Sequence, residues 1–224
     1  MTKEPTTLEY QDIITYQTPP VKVIDDGDVI ALFYIPNYYV IIIALRQRPM
    51  TVRDLEQAFK DRAKKYGGIE PKSGKSIYRY LKTLQEAGLV VPAGQRVVPG
   101  KMVNETLFAR TGQIFLLFNL KPEWWLTADG KKIAKRIGKL LAFSFDAKPP
   151  PVKALQKLFM EYETKRQSVL EDLAKKGDKE ILSILAASTL MEHFRIESYV
   201  GSFVSFITQP ELLEQLKQLM KPKK

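Results

Sequence analysis

The chain has 224 residues and a formal net charge of +10, long enough to bury a sizeable core as one large domain or two small ones. It has no cysteine, which excludes disulfide scaffolds, thiolate zinc sites, thiol nucleophiles and redox sensing through thiols. Its single histidine, His193, sits in an apolar helical pattern, so no His-built metal site within one chain and no cofactor are expected.

Residues 1–27 are polar and contain prolines, with weak strand or coil character, and part of this segment is expected to be disordered or draped over the fold. Met1-Thr2-Lys3-Glu4-Pro5 lacks the charged and apolar regions of a signal peptide, and a cytoplasmic location is the expectation. Residues 29–45 run uncharged for 17 positions, close to the lower limit for a membrane-spanning helix. Pro36-Asn37 interrupts the run, and Tyr34, Tyr38 and Tyr39 bring hydroxyls to its middle. Two buried helices joined at Pro36 are therefore expected, and no membrane partner. Asp28 is expected to cap the first, over 29–34, and Pro36 to open the second, which runs to about Gln47 before Pro49 stops it. Thr51-Val52-Arg53-Asp54 resembles a capping box with Asp in place of Glu, opening a helix through Leu55, Ala58 and Phe59 to about Lys65, where Gly67-Gly68 ends it.

After a loop over 66–72, a helix is expected over 73–87. Ser73 is its N-cap, and Gly88 fits the left-handed position that closes it. Ile77, Tyr80, Leu81 and Leu84 recur at the i, i+3, i+4, i+7 spacing of a buried stripe, while Lys75, Ser76, Arg79 and Lys82 fall on the other side. Tyr80 is expected in the core and Tyr78 on the surface. Helix, helix, loop, helix is the helix-turn-helix order. Strands over 89–92 and 102–109, with a turn at Ala93-Gly94-Gln95 and a loop through Pro99-Gly100, would form a wing whose candidate contacts are Gln95, Arg96 and Lys101. Residues 46–101 carry 13 Lys and Arg against 5 Asp and Glu, whereas residues 152–220 carry 9 against 10. A local basic surplus of this kind serves nucleic acid, because each phosphate neutralised releases counterions. Lys72 and the other cations around the helix would hold phosphates, while Lys75, Arg79 and Tyr78 would meet base edges.

Residues 114–120 are strongly apolar and either continue the sheet or cross to a second part. Lys121-Pro122-Glu123-Trp124-Trp125 reads as a loop in which the paired tryptophans pack. Thr127 caps a helix to about Phe143, with Ile133, Ile137, Leu140 and Leu141 on one face and Lys131, Lys132, Lys135, Arg136 and Lys139 around the rest. That basic face either flanks DNA or is a solvated exterior. Pro149-Pro150-Pro151 is the clearest linker signal. Three helices are expected beyond it: one to Gly177, one from Asp178 through Ile207, and one capped by Thr208 with Glu211 in capping-box position. Their large apolar residues would build a bundle or a homodimer interface. Phe159, Tyr162, Phe194, Tyr199, Phe203 and Phe206 would also suit an apolar effector, although core packing accounts for the same residues. The fold class is thus mainly α with a small β-wing: a winged helix-turn-helix domain (28–120) after a polar segment (1–27), a basic helix and connector (121–148), and a C-terminal helical dimerisation or effector region (149–224).

Enzyme signatures are absent. Ser73-Gly74-Lys75-Ser76 supplies only the tail of a phosphate loop, and the first glycine that loop needs falls on Ile69. Two runs do carry a family resemblance: Met50-Thr51-Val52-Arg53-Asp54-Leu55 followed by Ser76 through Val90, and Val103-Asn104-Glu105-Thr106-Leu107-Phe108-Ala109-Arg110-Thr111. Together they resemble the ArsR-like winged-helix regulators, especially archaeal members with a long helical C-terminal extension. The resemblance covers about residues 25–120 and implies a homodimeric transcription factor that sets paired recognition helices in successive major grooves of double-stranded DNA. By the same resemblance Ser73, Lys75, Ser76, Tyr78, Arg79 and Lys82 would face DNA, with Thr51 near the backbone. Two features depart from the family: an insertion of roughly ten residues through 60–72, against the short turn such motifs use, and the lack of cysteine, so metal sensing is not implied. A winged helix serving as a protein-contact subunit of transcription, replication or chromosome machinery is the rival function.

Overall fold

The computed structural model describes residues 10–66, 68–97, 104–118, 120–176, 178–188 and 190–222, apart from the side chains of Tyr66, Ala174, Lys179, Leu182, Ala186, Ala187, Leu190 and His193. The chain divides into two compact units, one of Met1–Lys22 with Asp26–Phe115 and one of Val23–Asp25 with Leu116–Lys224. Residues 121–148 and 149–224 thus fall in one unit. Of the three prolines Pro150 is buried, while Pro149 and Pro151 are exposed.

Strand β1 (Gln11–Ile14) lies in the first unit, strand β2 (Val21–Ile24) is divided, with Val23 and Ile24 in the second, and helix α1 (Gly27–Ala31) follows in the first. Asp26, two residues earlier than expected, caps α1 by accepting from the backbone N–H groups of Asp28 and Val29. A 3₁₀ turn (Leu32–Tyr34) leads to α2 (Pro36–Ala44). No single helix among the described residues is long and apolar enough to cross a membrane. The bent pair Gly27–Tyr34 and Pro36–Ala44 meets at 89°, and its apolar residues Ile30, Phe33, Val40, Ile41 and Ile42 are buried. Helix α3 (Val52–Tyr66) opens on a formed capping box: the Thr51 N–H donates to Asp54 Oδ2 at 3.0 Å, and the Asp54 N–H donates to Thr51 Oγ1 at 3.2 Å. Helix α4 (Gly74–Glu86) buries Ile77, Leu81 and Leu84 against a core that includes Leu55, Phe59, Leu89 and Leu107. Ser73 holds the N-cap position without a capping hydrogen bond, and its Oγ lies 3.4 Å from Ser76 Oγ instead.

The wing consists of β3 (Val90–Val97) and β4 (Glu105–Arg110), paired antiparallel. Where a turn was expected at 93–95, β3 runs on through an irregularity between Pro92 and Gly94. Met50 bridges Phe108 on the far side of β4, and β1 pairs with β3, giving the order β1-β3-β4. The N-terminal segment therefore covers what would otherwise be an open strand edge. Gly94 makes that possible. Its φ is 145°, and a Cβ built there would lie 2.0 Å from the Ile13 carbonyl oxygen. Gly94→Ala is expected to destabilise the first unit by about 2 kcal/mol or more, because β1 must shift from the edge. Urea unfolding followed by circular dichroism measures it.

Strand β5 (Ile114–Leu117), partner of β2, is divided like it, and the second unit runs on from Leu116 into a 3₁₀ turn (Pro122–Leu126) where a loop was expected. Helix α5 (Ala128–Ser144) is capped by Thr127 Oγ1, which accepts from the Gly130 N–H at 3.1 Å. Its fully buried stripe is Gly130, Ala134, Gly138 and Ala142; of the large residues expected there Ile133 and Ile137 pack partly buried against the same core, while Leu140 is 68% exposed. Small side chains let α5 lie close on α6 (Val152–Lys175), so close that a Cβ on Gly138 would sit 2.8 Å from Leu155 Cδ1. The single helix expected from Asp178 is two, α7 (Lys179–Ala187) and α8 (Leu190–Thr208). Thr208 ends α8, its hydroxyl donating to the Val204 carbonyl, and Pro210 takes the N-cap position of α9 (Glu211–Leu219). The first unit is a winged helix-turn-helix, with α3 and α4 as its helix pair and β3-β4 as its wing. The second is a bundle of helices.

Candidate nucleic-acid interface

Helix α4 has two unlike faces because its apolar residues recur at helical spacing and nothing apolar lies opposite them. Ile77, Leu81 and Leu84 point inward, so the turn of about 100° per residue sends Lys75, Tyr78, Arg79 and Lys82 outward, and all four are exposed. Among the described residues Lys75 and Arg79 form no ion pair. Lys82 has Glu86 one turn on, at 3.9 Å, a solvated contact of little weight. The Tyr78 ring sets its edge on Phe108 of β4, with centroids 6.4 Å apart, which steers it across the angle between helix and wing. Tyr80 turns the other way: its hydroxyl accepts from Asn37 Nδ2 at 3.3 Å, and its ring meets Tyr38. Ser73 is exposed and Ser76 half-buried, both on the flank of the outward face. Lys72 lies just before the helix and is engaged by Glu70 at 3.2 Å.

Helix α3 reaches Tyr66, so much of the expected insertion is helical, and exposed Lys60, Lys64 and Lys65 extend the basic surface on it. In the wing, Gln95 is exposed and accepts from Asn104 Nδ2 at 3.0 Å. Lys101 lies outside the described residues.

Two expected contacts are corrected by burial. Thr51 is 1% exposed, its N–H donating and its Oγ1 accepting within the capping box, so burial keeps it from a phosphate. Arg96 is 6% exposed. Register explains it: β1 places Asp12 directly across from Arg96. The guanidinium donates through Nε and Nη2 to the two Asp12 oxygens at 2.7 and 2.9 Å, and through Nη1 to both Asp54 oxygens at 3.0 and 2.9 Å. The Tyr10 ring covers it at 3.9 Å. Hydrogen bonding to Arg96 holds the Asp12 carboxyl below the usual range, and the same bonds hold the guanidinium charged. Arg96 is the clamp that fastens β1, β3 and α3 to one another. Arg110 is withdrawn as well, 3% exposed over the Phe115 ring at 4.2 Å, and burial aided by the charge of Arg46 pushes it down to about 9. The outward charge of this unit is therefore narrower than its composition and is carried by α4 together with the end of α3.

Sequence reasoning missed the whole clamp. The one signal available was a strand-compatible Gln11-Asp12-Ile13-Ile14 with an acid at its second position. Among the described residues no group of three His, Cys, Asp or Glu is placed to hold a metal ion. No protein-family model matches the chain, and no curated protein matches it significantly. Among solved structures it is similar to Bacillus subtilis PadR in complex with operator DNA, at 16% identity over 81% of this chain and 98% of that one. The TM-score is 0.29, a superposition too loose to assign a function.

Proposed function

We propose that the protein is a sequence-specific, double-stranded DNA-binding transcriptional regulator of the ArsR-like kind that acts as a homodimer. The observation that carries this reading is the outward face of α4, where Lys75, Tyr78, Arg79 and Lys82 stand exposed over a fully buried apolar stripe. Arg79 and Lys75 would address guanine O6 and N7 in the major groove, Tyr78 would lie against a thymine methyl, and Lys72, Ser73, Ser76 and Gln95 would contact phosphates on either side. Fluorescence anisotropy on duplexes selected from a random pool, with salt titrated, tests it. A selected palindrome bound about a thousandfold above unrelated duplex, with a steep salt slope, is the expected result. Weak binding blind to sequence would reject it.

One helix and wing contact few base pairs, and a dimer doubles the set. The dimer reading is supported by α8, where Tyr199, Phe203 and Ile207 follow one another at four-residue spacing and are 64%, 61% and 78% exposed. The two rings stack at 6.2 Å, forming an apolar ridge that stays largely exposed among the described residues. Phe203→Glu with Ile207→Glu is expected to convert a sedimenting dimer to a monomer and to weaken operator binding at least tenfold, with the circular dichroism spectrum unchanged. The same ridge favours the rival reading of a protein-contact subunit. That reading would be preferred if the double variant lost a heterologous complex while DNA binding was unaffected.

A further inference from the structure

Lys131, Lys132, Lys135, Arg136 and Lys139 of α5 are all exposed, and none forms an ion pair among the described residues. Residues 128–148 hold six Lys and Arg against two Asp, so this helix carries a basic surplus that the neighbouring helices over 152–220 lack. Lys132, Arg136, Lys139 and Phe143 follow one another at spacings of four, three and four residues, which sets them within about 60° of one another on one outward stripe. The stripe ends in apolar groups that stand in water. Leu140 and Phe143, neighbours at i and i+3, are 68% and 86% exposed, and Phe145 at the C-cap is 68% exposed. One exposed apolar side chain is ordinary, whereas three large ones at a single helix end beside unpaired cations mark a contact surface. We propose that the C-terminal end of α5 docks the protein on an anionic phospholipid bilayer, with Leu140, Phe143 and Phe145 entering the interface and the cations meeting headgroup phosphates.

Charge complementarity fixes the sign of the partner, and the rings fix its kind. Duplex phosphates would use the cations and leave the exposed phenylalanines and leucine in water. A lipid surface uses both at once, because apolar side chains settle at the acyl boundary while lysine and arginine stay among the phosphates. Lysine suits that layer, since its stem can lie along apolar material with the ammonium kept in water. Neither half suffices alone: a small apolar anchor gives marginal, reversible attachment, and a cationic patch beside it is the second signal that holds. Asp146, next to Phe145, opposes the headgroups, and the six cations outweigh it. Small buried residues along the inner side of α5 hold the helix in its bundle, so the outward stripe is presented without unfolding. The contact lies on the surface and spans nothing. It concerns the second unit alone and stands apart from the duplex reading.

The test is co-sedimentation of the full chain with vesicles of phosphatidylcholine, alone or with about a third phosphatidylglycerol. The mixed vesicles are expected to hold the protein at least about tenfold more tightly, and less so as salt rises. Phe143→Ser with Phe145→Ser keeps the charge and, at two exposed positions, the fold, and is expected to weaken vesicle binding at least about tenfold. Lys132→Glu with Arg136→Glu is expected to remove the preference for anionic lipid. Lys75→Glu with Arg79→Glu, an equal change of net charge on α4, is expected to cost less. Because the chain has no cysteine, Ser144→Cys carries a single environment-sensitive dye at an exposed position of the proposed surface. Its emission is expected to move to the blue on mixed vesicles, while the same dye on Ser198→Cys of α8 does not respond. No preference for anionic vesicles, binding kept by the phenylalanine variant, equal loss in the two charge variants or a silent Ser144→Cys label would overturn the proposal. So would a phenylalanine variant that lost operator affinity and kept the vesicles, which would give the face to DNA.

Discussion

Reversing Lys75 and Arg79 together to glutamate is expected to abolish specific binding to a selected duplex, with a loss of at least about a hundredfold in affinity at physiological salt. An arginine or lysine set bidentate on guanine contributes about 1–3 kcal/mol of discrimination. A cation on a phosphate adds close to one unit to the slope of log affinity against log salt. Reversal removes two base contacts and sets two negative charges against the duplex, so both discrimination and affinity should fall. Both side chains are exposed and outside any ion pair among the described residues, so the fold has no reason to respond. Lys82→Glu alone is expected to do less, since Glu86 already faces that lysine. The control is Lys132→Glu with Arg136→Glu on the outward face of α5, which changes net charge by the same amount. Equal loss in both double variants would mean a diffuse electrostatic field rather than a recognition helix. An intact operator complex in the α4 variant would remove the interface from this face altogether.

Local periodicity was enough to read α4 and not enough to read the wing. Ile77, Leu81 and Leu84 declare the buried side of a helix by spacing alone, and the capping box before α3 is a contact between neighbours in sequence. Each of the features that escaped depends on a contact between distant residues. Arg96 lies 84 positions from Asp12, and nothing within β3 marks it as buried rather than as a basic wing contact. Gly94 looked like a turn residue because turns commonly need glycine, whereas here it is the approach of β1 that excludes a side chain. On α5 Ile133 and Ile137 of the expected face do pack on the core, but the residues fully buried are the small ones, because α6 approaches too closely at Gly138 to admit a side chain. The break between α7 and α8 falls within one apolar run that carried no proline or glycine to announce it. The aromatic residues expected to suit an effector do not gather in one place: Phe159, Tyr162 and Phe206 line a common pocket, but Tyr199 and Phe203 stand exposed on the α8 surface.

Arg96→Ala is expected to destabilise the first unit by about 3 kcal/mol, because it leaves the Asp12 and Asp54 carboxylates facing a site built for a cation. For a unit of this size the melting temperature should fall by more than about 10 °C. A wing arginine that served only DNA would behave in the opposite way, losing affinity at constant stability, so thermal unfolding without DNA decides between the two roles. Gln95→Ala, one residue away and exposed, is expected to leave the melting temperature unchanged. Acid adds a second signature. The Asp12 carboxyl is held below its ordinary value by Arg96, so the ionised form is favoured more in the folded chain than in the unfolded one. Its contribution to stability is therefore fully present above the unfolded value of about 3.9 and is lost as pH falls through the lower folded value. Asp12→Asn should consequently melt below the parent protein at neutral pH and converge with it in acid. Parallel curves across the whole range would mean that the clamp works through shape alone, without the charge that draws β1 onto the edge of the wing.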